Sequence, residues 1–168
     1  MSTRTPSVLI HATSVALGPA LQQFGGPDGF AVLLTGEPGS GKSDVALRLI
    51  AEGGRLISDD QTSLSTDGSV LFAQGVDNIL GQIEIRGIGI IKLDHAPKAP
   101  IALVVNLDRS AAPERLPEAT LYAPPAPLTA SRLPPLVTMH PFEASTTAKI
   151  AAAAAAAASG KFIAGVAP

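Results

Sequence analysis

Residues 36–43 read GEPGSGKS, a Gly-x-x-x-x-Gly-Lys-Ser sequence, and no other stretch restricts the fold so tightly. The run FAVLLTG, residues 30–36, leads into it with the continuous apolar pattern of a strand buried on both faces. The segment SDVALRLIAE, residues 43–52, leads out with Val45, Ala46, Leu49 and Ile50 on one helical face, and Gly53 and Gly54 supply a stop. Strand, glycine loop and helix in this order form a phosphate cradle. Gly36, Gly39 and Gly41 let backbone N–H groups turn inward around an anion, Glu37, Pro38 and Ser40 complete the loop, and the helix adds its positive N-terminal end. Lys42 is placed to reach the β- and γ-phosphates of a nucleotide, and the Ser43 hydroxyl to ligate Mg²⁺. The expected fold is α/β: a mixed sheet around a phosphate loop (P-loop), with flanking helices.

Around this unit the chain reads as short strands and loops. Residues 8–17, VLIHATSVAL, predict one or two short strands, and residues 18–29, punctuated by Gly and Pro, a loop with a helical turn. RLIS, residues 55–58, is a second short strand. TSLSTDGSVLF, residues 62–72, carries Asp67-Gly68 between two β-prone runs and predicts a hairpin. Strands are expected over 83–91 and 101–107. Residues 110–135 hold too many prolines for a helix or a central strand and read as extended loop. LVTMH, residues 136–140, is expected as the last strand, and residues 144–158, almost all alanine after Lys149, as a helix of high intrinsic propensity.

With 168 residues the chain is long enough for one domain with a substantial core, here about residues 8–158 with a tail at each end. The net charge of −2 and the lack of a basic tract remove the electrostatic footprint of a nucleic-acid binder. Only 15% of residues are charged against 46% hydrophobic, so some surface is expected to meet a partner subunit. There are no cysteines, and His11, His95 and His140 lack ligand spacing, which argues against disulfide, thiolate and zinc chemistry. The apolar N-terminal stretch is broken by His11 and has no small-residue cleavage site, and no run has the length of a membrane span. A cytoplasmic protein is the expectation.

Phosphate chemistry of this kind needs a further carboxylate at a neighbouring strand end, and two places compete for the role. RLISDD ends a strand at Asp59 and Asp60; IALVVNLD ends one at Asp108. Adjacent carboxylates can divide labour, because successive strand side chains point to opposite faces. One of them then faces the phosphates as a base while the other holds the loop; the competing reading makes Asp59 a turn-former and Asp60 a cap. NLDR, residues 106–109, lacks the lysine of a guanine-reading Asn-Lys-x-Asp motif, which sets a signalling GTPase aside.

The stretch IEIRGIGII, residues 83–91, is too isoleucine-rich for a surface strand, yet it carries charges and two glycines. Read as one strand, it puts Glu84 and Arg86 on the same face. A metal ligand beside an anion-facing arginine would explain the pairing; a self-neutralising exposed pair is the plainer alternative. Gly87 and Gly89 allow a bulge or a close backbone approach.

Together, HATSVAL from His11, LLTGEPGSGKSDVALRLI, RLISDD and IEIRGIGIIKL resemble the bacterial HPr kinase/phosphorylase family in its C-terminal catalytic domain, in a short form lacking the N-terminal domain. The match runs from about residue 8 to 109 and weakly to 158. The resemblance implies a Mg²⁺-ATP-dependent protein-serine kinase acting on HPr or a related phosphocarrier of the phosphotransferase system, with possible reverse phosphorolysis, in a homo-oligomer that the family makes a hexamer. It also implies that Asp60 accepts the proton of the attacking serine, that Glu84 is a second Mg²⁺ ligand beside Ser43, that His11 is the active-site histidine and that Arg115 in PERLPE is the later active-site arginine. Asp59, Arg86, Gly87 and Gly89 support the site. Two places depart from the family pattern. The stretch between His11 and Gly36 is longer by about ten residues, and HPFEAS, residues 140–145, stands where the family has a Pro-Gly-Arg-Asn type motif for phosphorolysis. A small-metabolite kinase and a nucleotide-sensing module without turnover are the competing readings. The first would want a lid rich in arginine, where residues 110–135 have Arg115 and Arg132.

Overall fold

The computed structural model describes residues 5–165. Its elements follow the chain as β1 (Ser7–His11), β2 (Thr13–Ala16), α1 (Pro19–Gln23), β3 (Ala31–Thr35), α2 (Lys42–Ala51), β4 (Arg55–Ser58), β5 (Gln61–Thr66), β6 (Leu71–Gln74), β7 (Gln82–Ile85), β8 (Gly89–Lys92), β9 (Lys98–Leu107), β10 (Leu136–Met139) and α3 (Thr146–Ser159). Eight strands form one curled mixed sheet in the order β1-β5-β6-β9-β3-β2-β4, with β10 also paired to β9; β7 and β8 form a separate two-stranded ribbon. The α/β expectation holds.

The long strand β9 organises the sheet. Its first residues, Lys98–Pro100, pair antiparallel with β6, and its later residues run parallel to both β3 and β10. Between the pairs Ala31–Ile101 and Val32–Leu103 the register shifts by one residue, so Ala102 is an extra residue that bends the strand where it changes partners. The consequence matters for function: β3, β9 and β10 all point the same way, so the loops that follow Thr35, Leu107 and Met139 leave the same end of the sheet. That end, where parallel strands finish, is where open α/β sheets bind ligands.

Each face of the sheet carries its own core. On one face α2 and α3 pack Val45, Leu49, Ile150 and Ala154 against Val32, Leu34, Leu103 and Val105. On the other, Leu33, Ile57, Leu64, Ile101 and Val104 are covered by Leu128 and, more loosely, Tyr122 and Leu133. The proline-rich segment 110–135 supplies these last three residues. Its backbone is fastened by Ser131 N–H to Gly68 O and Arg132 N–H to Ser69 O at the β5–β6 turn, and by Leu136 N–H to Thr120 O. The segment expected as extended loop is the cover of a core.

Three expectations change. The strand over 83–91 is a hairpin: Ile88 N–H bonds to Ile85 O at 3.0 Å around Arg86 and Gly87, and Gly87 has φ 87°, the value required at the third position of a type II turn. Arg86 therefore lies in the turn and does not share a strand face with Glu84. The strand expected over 101–107 starts three residues earlier, because β6 gives Lys98–Pro100 an antiparallel partner. The last helix runs over Thr146–Ser159 and α2 over Lys42–Ala51, small displacements from 144–158 and 43–52. Among the described residues no helix is long and apolar enough to cross a membrane.

Candidate active site

The loop after β3 and the first turn of α2 form one wall of a cleft of about 470 Å³. Gly36, Gly39 and Gly41 adopt φ 138°, 79° and 99°, the left-handed values that only glycine takes easily. Crowding adds to this at two of them. A side chain on Gly36 would lie 2.6 Å from Leu107 O, and one on Gly41 2.9 Å from the Pro141 ring and 3.1 Å from Phe142 Cζ. Lys42 is buried and donates to the carbonyls of Gly36 and Glu37 at 2.9 and 3.1 Å, bridging back across its own loop. Burial pushes its ammonium below the usual lysine pKa, and the charges of Asp60, Asp59 and Glu37 partly restore it. Ser40 Oγ is buried with no hydrogen-bond partner. It does not line the cleft, so an anion there would be met by the backbone N–H groups of the glycine loop and by Lys42.

The two aspartates occupy opposite environments, separated by a sharper device than strand alternation. Asp59 is buried, and its carboxylate accepts three hydrogen bonds from three elements: Thr13 Oγ1 at 2.9 Å, Ser43 Oγ at 2.9 Å and the Glu84 N–H at 3.1 Å. It ties β2, the phosphate loop and β7 together. At Asp60 the chain leaves the strand, with φ 64° and a 2.7 Å hydrogen bond from Gln61 N–H to Asp59 O across it. This is the sparsely populated γ-turn of positive φ, a strained conformation of the kind that collects at functional sites. The turn throws the Asp60 side chain out into the cleft, where it is 68% exposed and 3.2 Å from His11 Nδ1. His11 ends β1, directly beside Gln61 in register, so the sheet itself sets that distance.

Asp108, the competing carboxylate, is spent locally. It accepts from the Ser110 hydroxyl at 2.7 Å and the Ser110 N–H at 2.8 Å, and these bonds hold its carboxyl below the usual range. It does not line the cleft. Glu84, Arg86 and Arg109 do, together with Phe142. Arg115 lies on an exposed bend and is not among the lining residues. Arg109 and Phe142 were missed in the sequence. The one signal for Arg109 was its position after an apolar run and Asp, and Phe142 had none, because its place depends on β10 lying parallel to β9.

The donors in reach suit the expected ligands. Ser43, Glu84 and Asp60 offer oxygen only, as Mg²⁺ prefers, and Mg²⁺ bound through phosphates needs few protein ligands.

Comparison with known proteins gives the family and the fold of the chain. The family profile described as HPr Serine kinase C-terminal domain matches residues 28–120, more than half of the chain. An HPr kinase/phosphorylase of Clostridium kluyveri is 38% identical over 96 residues, covering 55% of this chain and 31% of that protein. Another, of Treponema pallidum, is 40% identical over 86 residues, covering 50% and 26%. The matched stretch thus spans less than a third of these curated relatives. The solved HPr(Ser) kinase/phosphatase from Coxiella burnetii shares the fold, with a TM-score of 0.66 at 21% identity over 86% of this chain and 91% of that one.

Proposed function

Since the chain belongs to the family of HPr serine kinase C-terminal domains, we propose that it is a protein-serine kinase that uses Mg²⁺-ATP to phosphorylate a small phosphocarrier protein of the HPr type. The observation that carries this reading is the bond from Ser43 Oγ to Asp59 Oδ1, which locks the phosphate loop to the acid pair and brings Lys42 and Asp60 to one cleft.

The residues divide the work as follows from their positions. The glycine loop and Lys42 hold the phosphate chain of the donor; Ser43 and Glu84 would hold Mg²⁺, which supplies charge neutralisation on that chain. Asp60 takes the proton from the acceptor hydroxyl as its oxygen bonds to the terminal phosphorus and the bond to the leaving diphosphate breaks. His11, at 3.2 Å, fixes the rotamer of Asp60 so that its other oxygen is free for the acceptor. Such transfer is chiefly positioning and charge stabilisation, which this set of groups provides. In the reverse phosphorolysis Asp60 would return the proton. HPFEAS, residues 140–145, brings no arginine of its own to that reaction, so the forward direction is the better supported. Assembly into a homo-oligomer, as the resemblance implies, belongs to the same proposal.

The test is incubation of the purified protein with ATP, Mg²⁺ and HPr-type carriers, and of the phosphorylated carrier with inorganic phosphate. Serine phosphorylation in the forward assay is expected, abolished in Asp60→Asn while ATP still binds. ATP binding without transfer to any carrier overturns the reading and leaves a nucleotide-sensing module.

A further inference from the structure

Three positive side chains line the cleft: Lys42, Arg86 and Arg109. Their circumstances differ. Lys42 is committed to the carbonyls of its own loop. Arg86 sits in the turn of the β7–β8 ribbon and takes part in none of the ion pairs formed by the described residues. Arg109 is exposed but restrained. Its guanidinium lies over the ring of Phe142, 4.9 Å from the centroid, and it takes part in none of the ion pairs formed by the described residues.

The restraint on Arg109 is built from both sides. On its own strand end, Asp108 accepts two hydrogen bonds from Ser110 and Ala111 N–H returns to Asp108 O at 3.1 Å, which closes a tight turn around residue 109. On the other side, the Phe142 N–H donates to His140 Nδ1 at 3.1 Å, and Arg48 of α2 donates to the carbonyls of Pro141 and Glu143. The segment carrying Phe142 is thereby bolted to the helix that opens at the phosphate loop. The ring also packs on Gly41. Arg48, Phe142 and Arg109 thus form a chain of contacts that starts on α2 and ends in a guanidinium whose N–H groups are unspent.

A planar cation with free donors, held by stacking beside a phosphate loop, is suited to bidentate contact with a phosphoryl group. We infer that Arg109, held by Phe142, binds the terminal phosphoryl group of the nucleoside triphosphate. The inference rests on the proposed phosphoryl transfer, and it concerns which residue recognises the group to be moved. Arg109 is the residue in contact with substrate; Phe142 is a positioning residue.

The experiment compares ATP with ADP, because only ATP carries the group in question. Wild type, Arg109→Gln and Phe142→Leu are titrated with each nucleotide and Mg²⁺ by calorimetry, and their thermal unfolding is recorded without nucleotide. Arg109→Gln should bind ATP about tenfold or more weakly, and ADP within about twofold of wild type, as expected for loss of charge-assisted hydrogen bonds to one phosphoryl group. Its melting temperature should fall by no more than a few degrees, since the side chain is exposed, forms no ion pair and loses only its stacking on Phe142. Phe142→Leu should move the ATP-to-ADP ratio the same way by a smaller factor. Equal losses for both nucleotides, or no loss for ATP, overturn the assignment. If wild type prefers ATP and Arg109→Gln loses that preference while no carrier is phosphorylated, the assignment stands and the kinase reading falls.

Discussion

At Asp60 the backbone turns to φ 64° and presents an exposed carboxylate to His11, while Asp59, one residue earlier, is buried under three hydrogen bonds. Identical side chains should therefore respond to substitution in opposite ways. Asp59→Ala leaves the hydroxyls of Thr13 and Ser43 and the N–H of Glu84 without their acceptor, and should cost about 2–4 kcal/mol in chemical denaturation. Asp60→Asn should change stability by less than about 0.5 kcal/mol, because asparagine tolerates positive φ, whereas Asp60→Ala should add about 1 kcal/mol of backbone strain. Phosphoryl transfer by Asp60→Asn should fall by about 10²–10⁴, the usual worth of a general base. A large stability loss in Asp60→Asn with transfer intact would reverse the assignment of the two residues. The sequence made the pair visible and suggested that one of its members would hold the loop. It could not show how, since the γ-turn depends on Thr13 Oγ1 accepting the Asp60 N–H at 3.2 Å from a strand 47 positions away.

Among the elements, the unit of β3, phosphate loop and α2 was legible because its determinants are local: an apolar run, glycines with required φ values, and a helical face. The β7–β8 ribbon was not. Its isoleucines have the composition of a buried strand, but Ile88 and Ile90 are 74% and 68% exposed, and a turn with Gly87 at φ 87° converts one strand into two. Equally hidden was the convergence of the loops after β3, β9 and β10, which follows from parallel pairing between distant segments and brings Arg109 and Phe142 to the cleft. The phosphate-loop glycines test that convergence. Gly39 and Gly41 both have positive φ, but a side chain on Gly39 meets open space while one on Gly41 meets Pro141 and Phe142 from the loop after β10. Gly39→Ala should cost only the backbone term, about 1 kcal/mol. Gly41→Ala should cost about 1–3 kcal/mol more through steric displacement, and should weaken ATP binding by an order of magnitude beyond Gly39→Ala. Thermal unfolding and nucleotide titration of the two variants, made side by side, check it; equal effects would mean that the loop after β10 does not press on the phosphate loop.

For the molecule as a whole, the two cores lie on opposite faces of the same strands, so neither can be lost alone. Leu33 and Leu34 are successive residues of β3, both fully buried, one in each core. Truncation of either to alanine should cost about 2–5 kcal/mol, the range for a buried leucine, and should lower ATP affinity only where the unfolded fraction becomes appreciable. The chain provides two independent probes of how the cores unfold. Its single tyrosine, Tyr122, packs against the core as part of the proline-rich cover, and it has no tryptophan to mask that fluorescence. The two longest helices pack against the other core, through Val45, Leu49, Ile150 and Ala154, and dominate far-ultraviolet circular dichroism. Because β3 and β9 contribute to both cores, the two signals should fall in one coincident denaturant transition, in wild type and in both variants. Were the cover and its core a separate unit, Leu33→Ala would move the Tyr122 transition to lower denaturant and leave the helical signal in place. The same substitution should then spare ATP binding, since the phosphate loop opens onto the helical side; coincident loss of fluorescence, helicity and nucleotide affinity is the expected outcome, and it ties the cleft to the cover on the far face of the sheet.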